Sequence, residues 1–379
     1  MPSLSRAINI ADLRLMARAR LPRMVFDYID GGADDEITLQ QSVSRLRAYR
    51  LMWDALVDVS TIDLSTRVMG ADLKLPFVIS PTATSRLFHH EGEAAVAAAA
   101  TAFGTAYSLS SIGSTSVEEI AKICPGPKWF QVYVWKDRGL VREILARAKA
   151  AGFTGLLLTV DVPVAGNRER DPRNRFTIPP AINPSTVSNM LSRPEYLWNL
   201  ATHPRIRAAN FTQFERMEGG VIGFINSQFD CAVTWKDAAW MRETWDGPFA
   251  VKGVTHAEDA KRCAEIGAAA WISNHGGRQL DTAPATIDVL EEIAAAVAGR
   301  TEIIFDGGVR RGADIVKALA LGANAVAIGR AYLFGLAAGG QAGVMRALTI
   351  LKSETERTLA LLGCPRVRDL SARFVRKPV

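Results

Sequence analysis

The stretch A-W-I-S-N-H-G-G-R-Q-L-D, residues 270–281, shows the plan on which the whole chain is built. Ala270-Trp271-Ile272 is apolar on both faces, as a strand buried in a parallel sheet must be. The next residues are polar and rich in glycine, so the strand stops and a loop begins at Ser273. A histidine at such a place, His275, moves protons near neutral pH. An arginine three residues on, Arg278, grips a carboxylate through two parallel hydrogen bonds. A lone histidine in a glycine turn is more often structural than catalytic, and it is the rest of the chain that reverses this reading.

The same strand-then-loop unit recurs from Pro76 to Leu336. Short, apolar, β-branched segments at 77–80, 105–109, 129–134, 155–162, 249–254, 270–273, 302–306 and 325–329 read as buried parallel strands. Helical patterns lie between them, among them 91–103, 137–151, 256–266, 286–298 and 312–321. Eight such units close into a (β/α)8 TIM barrel of the α/β class. The rival doubly wound sheet announces itself with G-x-G-x-x-G after its first strand, and this chain has no such fingerprint.

The expected organisation is one domain over 1–379. It has a helical N-terminal extension (1–75), a barrel (76–336) and a C-terminal segment (337–379) with a helix at 340–362. In I-D-G-G-A-D-D-E, residues 29–36, one helix ends at glycine and another starts at an aspartate cap. The stretch 164–234, after the fourth strand, is far too long for an ordinary connection, and such insertions are usually functional.

Composition narrows the class. The chain has 379 residues, 48% hydrophobic and 22% charged, as expected of a globular protein with a large core. The net charge of +6 is scattered, without a dense basic block, which argues against nucleic-acid binding. The four cysteines form no C-x-x-C pair, and with His89, His90, His203 and His256 they show no metal-ligand spacing, so no metal is expected. Neither a signal-peptide pattern nor a continuous apolar run of spanning length is apparent, and the expected location is cytoplasmic.

Catalytic groups of such barrels gather at the C-terminal ends of the strands. Here every strand end is polar or glycine-rich. The first gives Ser80-Pro81-Thr82-Ala83 and the second Ser110. The third carries Gln131 and Tyr133, two apart and so on one face. The fourth carries Thr159 and Asp161 with the same spacing, followed by Arg168. The fifth ends in Lys252, and the sixth supplies Ser273, His275 and Arg278. The seventh opens D-G-G-V-R-R-G, with Asp306, Gly307, Gly308 and Arg310, and the eighth ends in Gly329-Arg330. Glycines and arginines after the last two strands suit the phosphate site of this fold.

S-N-H-G-G-R-Q-L-D together with D-G-G-V-R-R-G resembles the FMN-dependent 2-hydroxy-acid dehydrogenase and oxidase family, and the resemblance runs from about Asp12 to Leu370. It implies FMN as cofactor and oxidation of an L-2-hydroxy acid to the 2-keto acid. By the same resemblance His275 is the active-site base, and Asp161 orients it and stabilises its protonated form. Arg278 and Tyr28 bind the substrate carboxylate, Tyr133 bonds the substrate oxygen, and Arg168 assists from the loop. Lys252 sits at the flavin N1–O2 edge, with Ser110, Gln131 and Thr159 on the ring and Pro81, Thr82 and Ala83 near N5. Gly308, Arg310, Gly329 and Arg330 hold the phosphate, with Ser273, Asp306 and Gly307 completing the cofactor site.

Ile112 stands where glycolate oxidase has tryptophan, and Ala165 where several relatives have leucine, so there is room for lactate or a larger side chain. In the insertion, Met190, Leu191, Tyr196, Leu197, Trp198 and Leu200 are interleaved with Arg193, Arg205 and Arg207. That mixture suits a segment, 184–214, dipping into an anionic membrane surface, with packing against another subunit as the alternative. T-H-P from Thr202 and the run from Arg168 to Pro180 resemble the membrane-associated lactate and mandelate dehydrogenases. The expected activity is therefore L-lactate oxidation with electrons passed to a quinone, on the inner face of the cytoplasmic membrane. An oxygen-using oxidase that makes hydrogen peroxide, an (S)-mandelate dehydrogenase and a non-enzymatic phosphate-binding sensor are the alternatives. A homotetramer is implied by the resemblance.

Overall fold

The computed structural model describes residues 3–178, 180, 187–203, 206–211 and 228–378. Its centre is a closed barrel of eight parallel strands: β1 (Phe77–Ile79), β2 (Tyr107–Ser110), β3 (Lys128–Val132), β4 (Gly155–Thr159), β5 (Phe249–Val254), β6 (Ala269–Ile272), β7 (Ile303–Phe305) and β8 (Ala325–Ile328). Each strand pairs with its sequence neighbours, and β8 closes on β1 through Val326–Ile328 against Phe77–Ile79. All eight strands expected from the sequence are present, several a few residues shorter. β4 ends at Thr159 rather than 162, because the β4–β5 ladder runs out at the pair Thr159–Lys252 and the β5–β6 register shifts just after it.

Strand alternation divides the apolar residues into two cores. Val78, Trp129, Leu157, Ala250, Trp271, Ile304 and Ala327 fill the barrel interior, with Trp129 and Trp271 packed edge to face at 6.3 Å. Phe77, Phe130, Leu156, Val251, Ile272 and Phe305 point outward under the helices. The hairpin of Thr66–Val68 and Ala71–Leu73 plugs the N-terminal end, its Val68 and Leu73 belonging to the interior core. With the lower barrel filled, the next inward positions along the strands face open space at the C-terminal end.

Three helices precede the barrel: α1 (Ile10–Arg20), α2 (Arg23–Asp30) and α3 (Ile37–Ala48). An Asn9/Asp12 capping box starts α1, and Arg14 of α1 holds Asp30 at the end of α2 at 2.5 and 2.7 Å. The expected aspartate cap of α3 is not found. Glu36 occupies the cap in a left-handed conformation without a side-chain capping bond, and Asp281 caps the helix from across the fold by accepting from Ile37 N and Thr38 N at 3.2 and 2.8 Å. A sequence window cannot reveal a cap supplied from that distance.

The C-terminal helix also differs from expectation. It begins at Arg330, directly after β8, and runs to Leu362 with a break at Gly339 and Gly340, so the eighth barrel helix and the terminal helix lie in series. Its length and apolarity match a membrane span, yet its apolar residues are mostly buried in the fold.

The insertion after β4 contains helices Val187–Leu191 and Pro194–Thr202. Their apolar residues divide by face. Met190 and Tyr196 are buried, and Tyr196 donates to Leu87 O at 3.2 Å. Leu191 and Trp198 are 64% and 68% exposed. Arg193 turns inward to Leu21 O at 3.1 Å. The expected interfacial surface is thus reduced to Leu191, Trp198 and their surroundings. Arg205 and parts of 184–214 lie outside the described residues.

Candidate active site

At the C-terminal mouth of the barrel the structure opens a cavity of about 640 Å³, within the range of small-molecule sites. The strand period places its chemistry. Inward-facing positions that carry core residues lower in β3, β4, β5 and β7 carry Gln131, Thr159, Lys252 and Asp306 at the rim. Tyr28 reaches the cavity from α2, and Arg168 from the insertion.

His275 is the centre of the polar group. Its Nδ1 lies 3.0 Å from Asp161 Oδ1. Its backbone is left-handed (φ 53°), a conformation uncommon outside glycine, and the adjoining Gly276 and Gly277 are left-handed too. Ser273 Oγ accepts from His275 N at 3.1 Å and so fixes the start of this turn. Burial opposes ionisation of Asp161, but the nearby His275 and Lys252 hold its carboxyl below the ordinary value. Its second oxygen, Oδ2, is buried without a hydrogen-bond partner.

Arg278 donates to Tyr28 O at 2.5 Å, and its guanidinium lies 4.7 Å from the centre of the Tyr28 ring. Burial, with Arg168 nearby, pushes Arg278 down to about 10. A buried cation held in this state gains from an arriving carboxylate. Tyr28 also stacks on Phe176 at 4.6 Å and carries Arg168 at 5.6 Å on its ring. Burial and the neighbouring Asp161 keep the Tyr133 hydroxyl protonated far above the usual phenol range, so it stands as a hydrogen-bond donor.

A second group lines the floor. Ser110 Oγ donates to Gln131 Oε1 at 2.8 Å, and Gln131 Nε2 donates to Thr159 Oγ1 at 2.9 Å. Lys252 Nζ donates to Ser273 Oγ at 2.9 Å and lies 3.5 Å from Asp306 Oδ2, which also accepts from Trp271 Nε1 at 2.9 Å. Pro81, Thr82 and Ala83 form the facing wall, where Thr82 Oγ1 is 2.5 Å from Tyr332 OH. At the far end are Gly307, Gly308, Arg310, Gly329 and Arg330. Arg310 is pushed down to about 10 by burial, opposed by Asp314 and Asp30. Gly308 has φ 79°, and a Cβ there would stand 2.1 Å from Ser42 O, so only glycine fits. Arg330 donates to the carbonyls of Ile29, Gly276 and Gly31, tying α2 to the His275–Gly277 turn while still lining the cavity.

Most residues selected from the sequence therefore line one cavity. Two lie behind its wall: Ser273, beneath Lys252, and Asp161, behind His275. Others carried no local signal. Asp171, Phe176, Ile178, Ile206, Phe229 and Leu333 also line the cavity. Asp171 is half-buried, and its partial desolvation raises its carboxyl despite Arg168 and Arg278.

The donor set fits a flavin mononucleotide. A buried ammonium and a Ser–Gln–Thr chain suit the polar edge of a planar ring. Glycine-rich backbone and a buried arginine suit a phosphate some distance away.

The sequence matches the family described as FMN-dependent dehydrogenase over residues 17–377. It is 44% identical over 380 residues to L-lactate oxidase of Nostoc sp., covering 99% of this chain and 100% of that one. It is 43% identical to a putative L-lactate dehydrogenase of Mycobacterium tuberculosis, covering 98% of this chain and 90% of that one. The fold superposes on the crystal structure of (S)-mandelate dehydrogenase, a monotopic membrane protein, with a TM-score of 0.94 and 39% identity over 98% of this chain and 100% of that one. A closed parallel barrel, a cavity built for a flavin and a match spanning nearly the whole chain lead to one conclusion: the chain belongs to the FMN-dependent dehydrogenase family of 2-hydroxy-acid oxidoreductases and uses FMN.

Proposed function

We propose that this protein is an L-2-hydroxy-acid dehydrogenase, a single domain throughout, that oxidises L-lactate to pyruvate and passes the electrons to a quinone. The observation that carries the reading is the His275–Asp161 pair at 3.0 Å, on the same cavity as Tyr133, Arg278 and Lys252. Arg278 and Tyr28 bind the carboxylate. Tyr133 donates to the substrate oxygen. With Nδ1 engaged by Asp161, His275 offers Nε2 to take a substrate proton, and Asp161 stabilises the imidazolium that forms. The substrate loses two protons and two electrons and becomes the 2-keto acid. Bound FMN would supply the acceptor of both electrons and of the second proton. Lys252, buried beside Ser273 and Asp306, would stabilise negative charge developing on the reduced flavin.

A larger substrate is the second reading. Ile112, Ala165, Phe176, Ile178 and Phe229 make an apolar wall suited to an aromatic side chain, and the likeness to (S)-mandelate dehydrogenase supports it. Exposed Leu191 and Trp198 support a peripheral position on a membrane, where a quinone would be met. A homotetramer is part of the same proposal.

The test is anaerobic mixing of FMN-loaded protein with L-lactate and, separately, (S)-mandelate while flavin absorbance is followed. Bleaching by lactate, slow recovery in air and fast recovery with a quinone analogue is the expected result. Fast recovery in air would make the protein an oxidase, and bleaching by mandelate alone would establish the second reading. Normal bleaching of His275→Ala would overturn the site assignment.

A further inference from the structure

Three of the chain's five histidines meet outside the active-site cavity. His89 and His90 come just after the short turn Ser85–Leu87, and His203 lies at the end of the helix Pro194–Thr202. Their rings stack, with centroids 4.4 Å apart for His89 and His90 and 3.9 Å apart for His90 and His203. Glu91 joins them: one potential ligand atom from each of His89, His90 and Glu91 lies within 4.8 Å of the others.

We propose that His89, His90 and Glu91 bind a divalent transition-metal ion of the zinc, nickel or copper class, with His203 stacked on His90 as a covering ring. Imidazole nitrogens with one carboxylate are the donor set such ions prefer. His90 Nδ1 is buried with no hydrogen-bond partner, a costly state for a ring nitrogen that nothing coordinates.

The charges agree. Glu91 and Glu195 bring two negative charges near the rings and Arg20, bonded to Glu195 at 2.8 Å, brings one positive. The carboxylate is also held in place. Glu91 Oε2 accepts from Gln341 N at 2.7 Å at the break in the terminal helix. A Cβ on Gly340 would stand 2.1 Å from Glu91 Oε2 and 2.6 Å from His89 Cε1, so this close approach requires glycine.

The test uses FMN-loaded protein without a polyhistidine tag, stripped with chelator and titrated with Co(II) and then Zn(II), followed by calorimetry and visible absorption. The expected result is one ion per chain, Co(II) ligand-field bands and a higher Tm on loading. His90→Gln weakens binding at least about tenfold, with flavin content and reduction by substrate unchanged. Glu91→Gln, which keeps the shape and removes the charge, weakens it too. Absence of one-to-one uptake by the wild type, or equal uptake by His90→Gln, would overturn the site.

Discussion

Replacing Asp161 by asparagine isolates the contribution of one carboxylate to proton transfer. Asparagine keeps the size and can still bond His275 Nδ1, so geometry is retained while the charge is lost. For a full imidazolium–carboxylate pair at 3.0 Å, an effective dielectric of about 20 gives an upper bound near 5 kcal/mol. The two side chains keep some solvent contact, 26% for His275 and 14% for Asp161, which screens the pair. About 2–4 kcal/mol then remains, or about 30- to 1000-fold in the rate of flavin reduction. The loss belongs to the reaction step, because the imidazole becomes charged only as the proton moves. The assay is anaerobic stopped-flow reduction over a range of substrate concentrations, which separates the limiting rate from binding. A limiting rate within about threefold of wild type would refute the argument, since less than 1 kcal/mol would then depend on the charge.

The same carboxylate predicts an acid limit. Its folded-state pKa is depressed by His275 and Lys252 against the effect of burial. Its contribution to stability is therefore complete above the ordinary carboxylate range and is lost as pH falls through the lower folded value. Denaturant titrations of wild type and Asp161→Asn should converge below about pH 4 relative to neutral pH, and a constant difference would exclude the linkage. Gly308→Ala should lose about 1–3 kcal/mol or more, since its φ is 79° and the obstructing Ser42 O is backbone; Tm and retained flavin report it. Leu191→Asp with Trp198→Asp should release the protein from anionic vesicles in a sedimentation assay while leaving flavin reduction intact. Removing the whole segment is a poorer test, because Tyr196 is buried and Ile206 and Ala208 line the cavity. Ile112→Trp should depress kcat/KM for mandelate more than for lactate, by narrowing the apolar wall.

Much of the site is legible in the sequence because a barrel strand alternates with period two. Once β3 and β4 are recognised, Gln131 with Tyr133 and Thr159 with Asp161 must share the inner face, and the C-terminal ends must meet around one mouth. The glycine runs after β6 and β7 are legible for the same local reason, since left-handed backbone favours glycine. These are properties of neighbouring residues, and a sequence carries them directly.

Tertiary structure alone decided what depends on distant segments. Asp281 caps α3 from another loop, and Ser273 lies beneath Lys252 instead of on the cavity wall. The insertion turns Met190 and Tyr196 inward and Leu191 and Trp198 outward, a division that its apolar composition could not reveal. The meeting of His203 with His89 and His90 is of the same kind. Local sequence fixes periodicity and backbone preference. Which surfaces meet, and so which charges pair and which side chains lose water, is settled only when the whole chain packs.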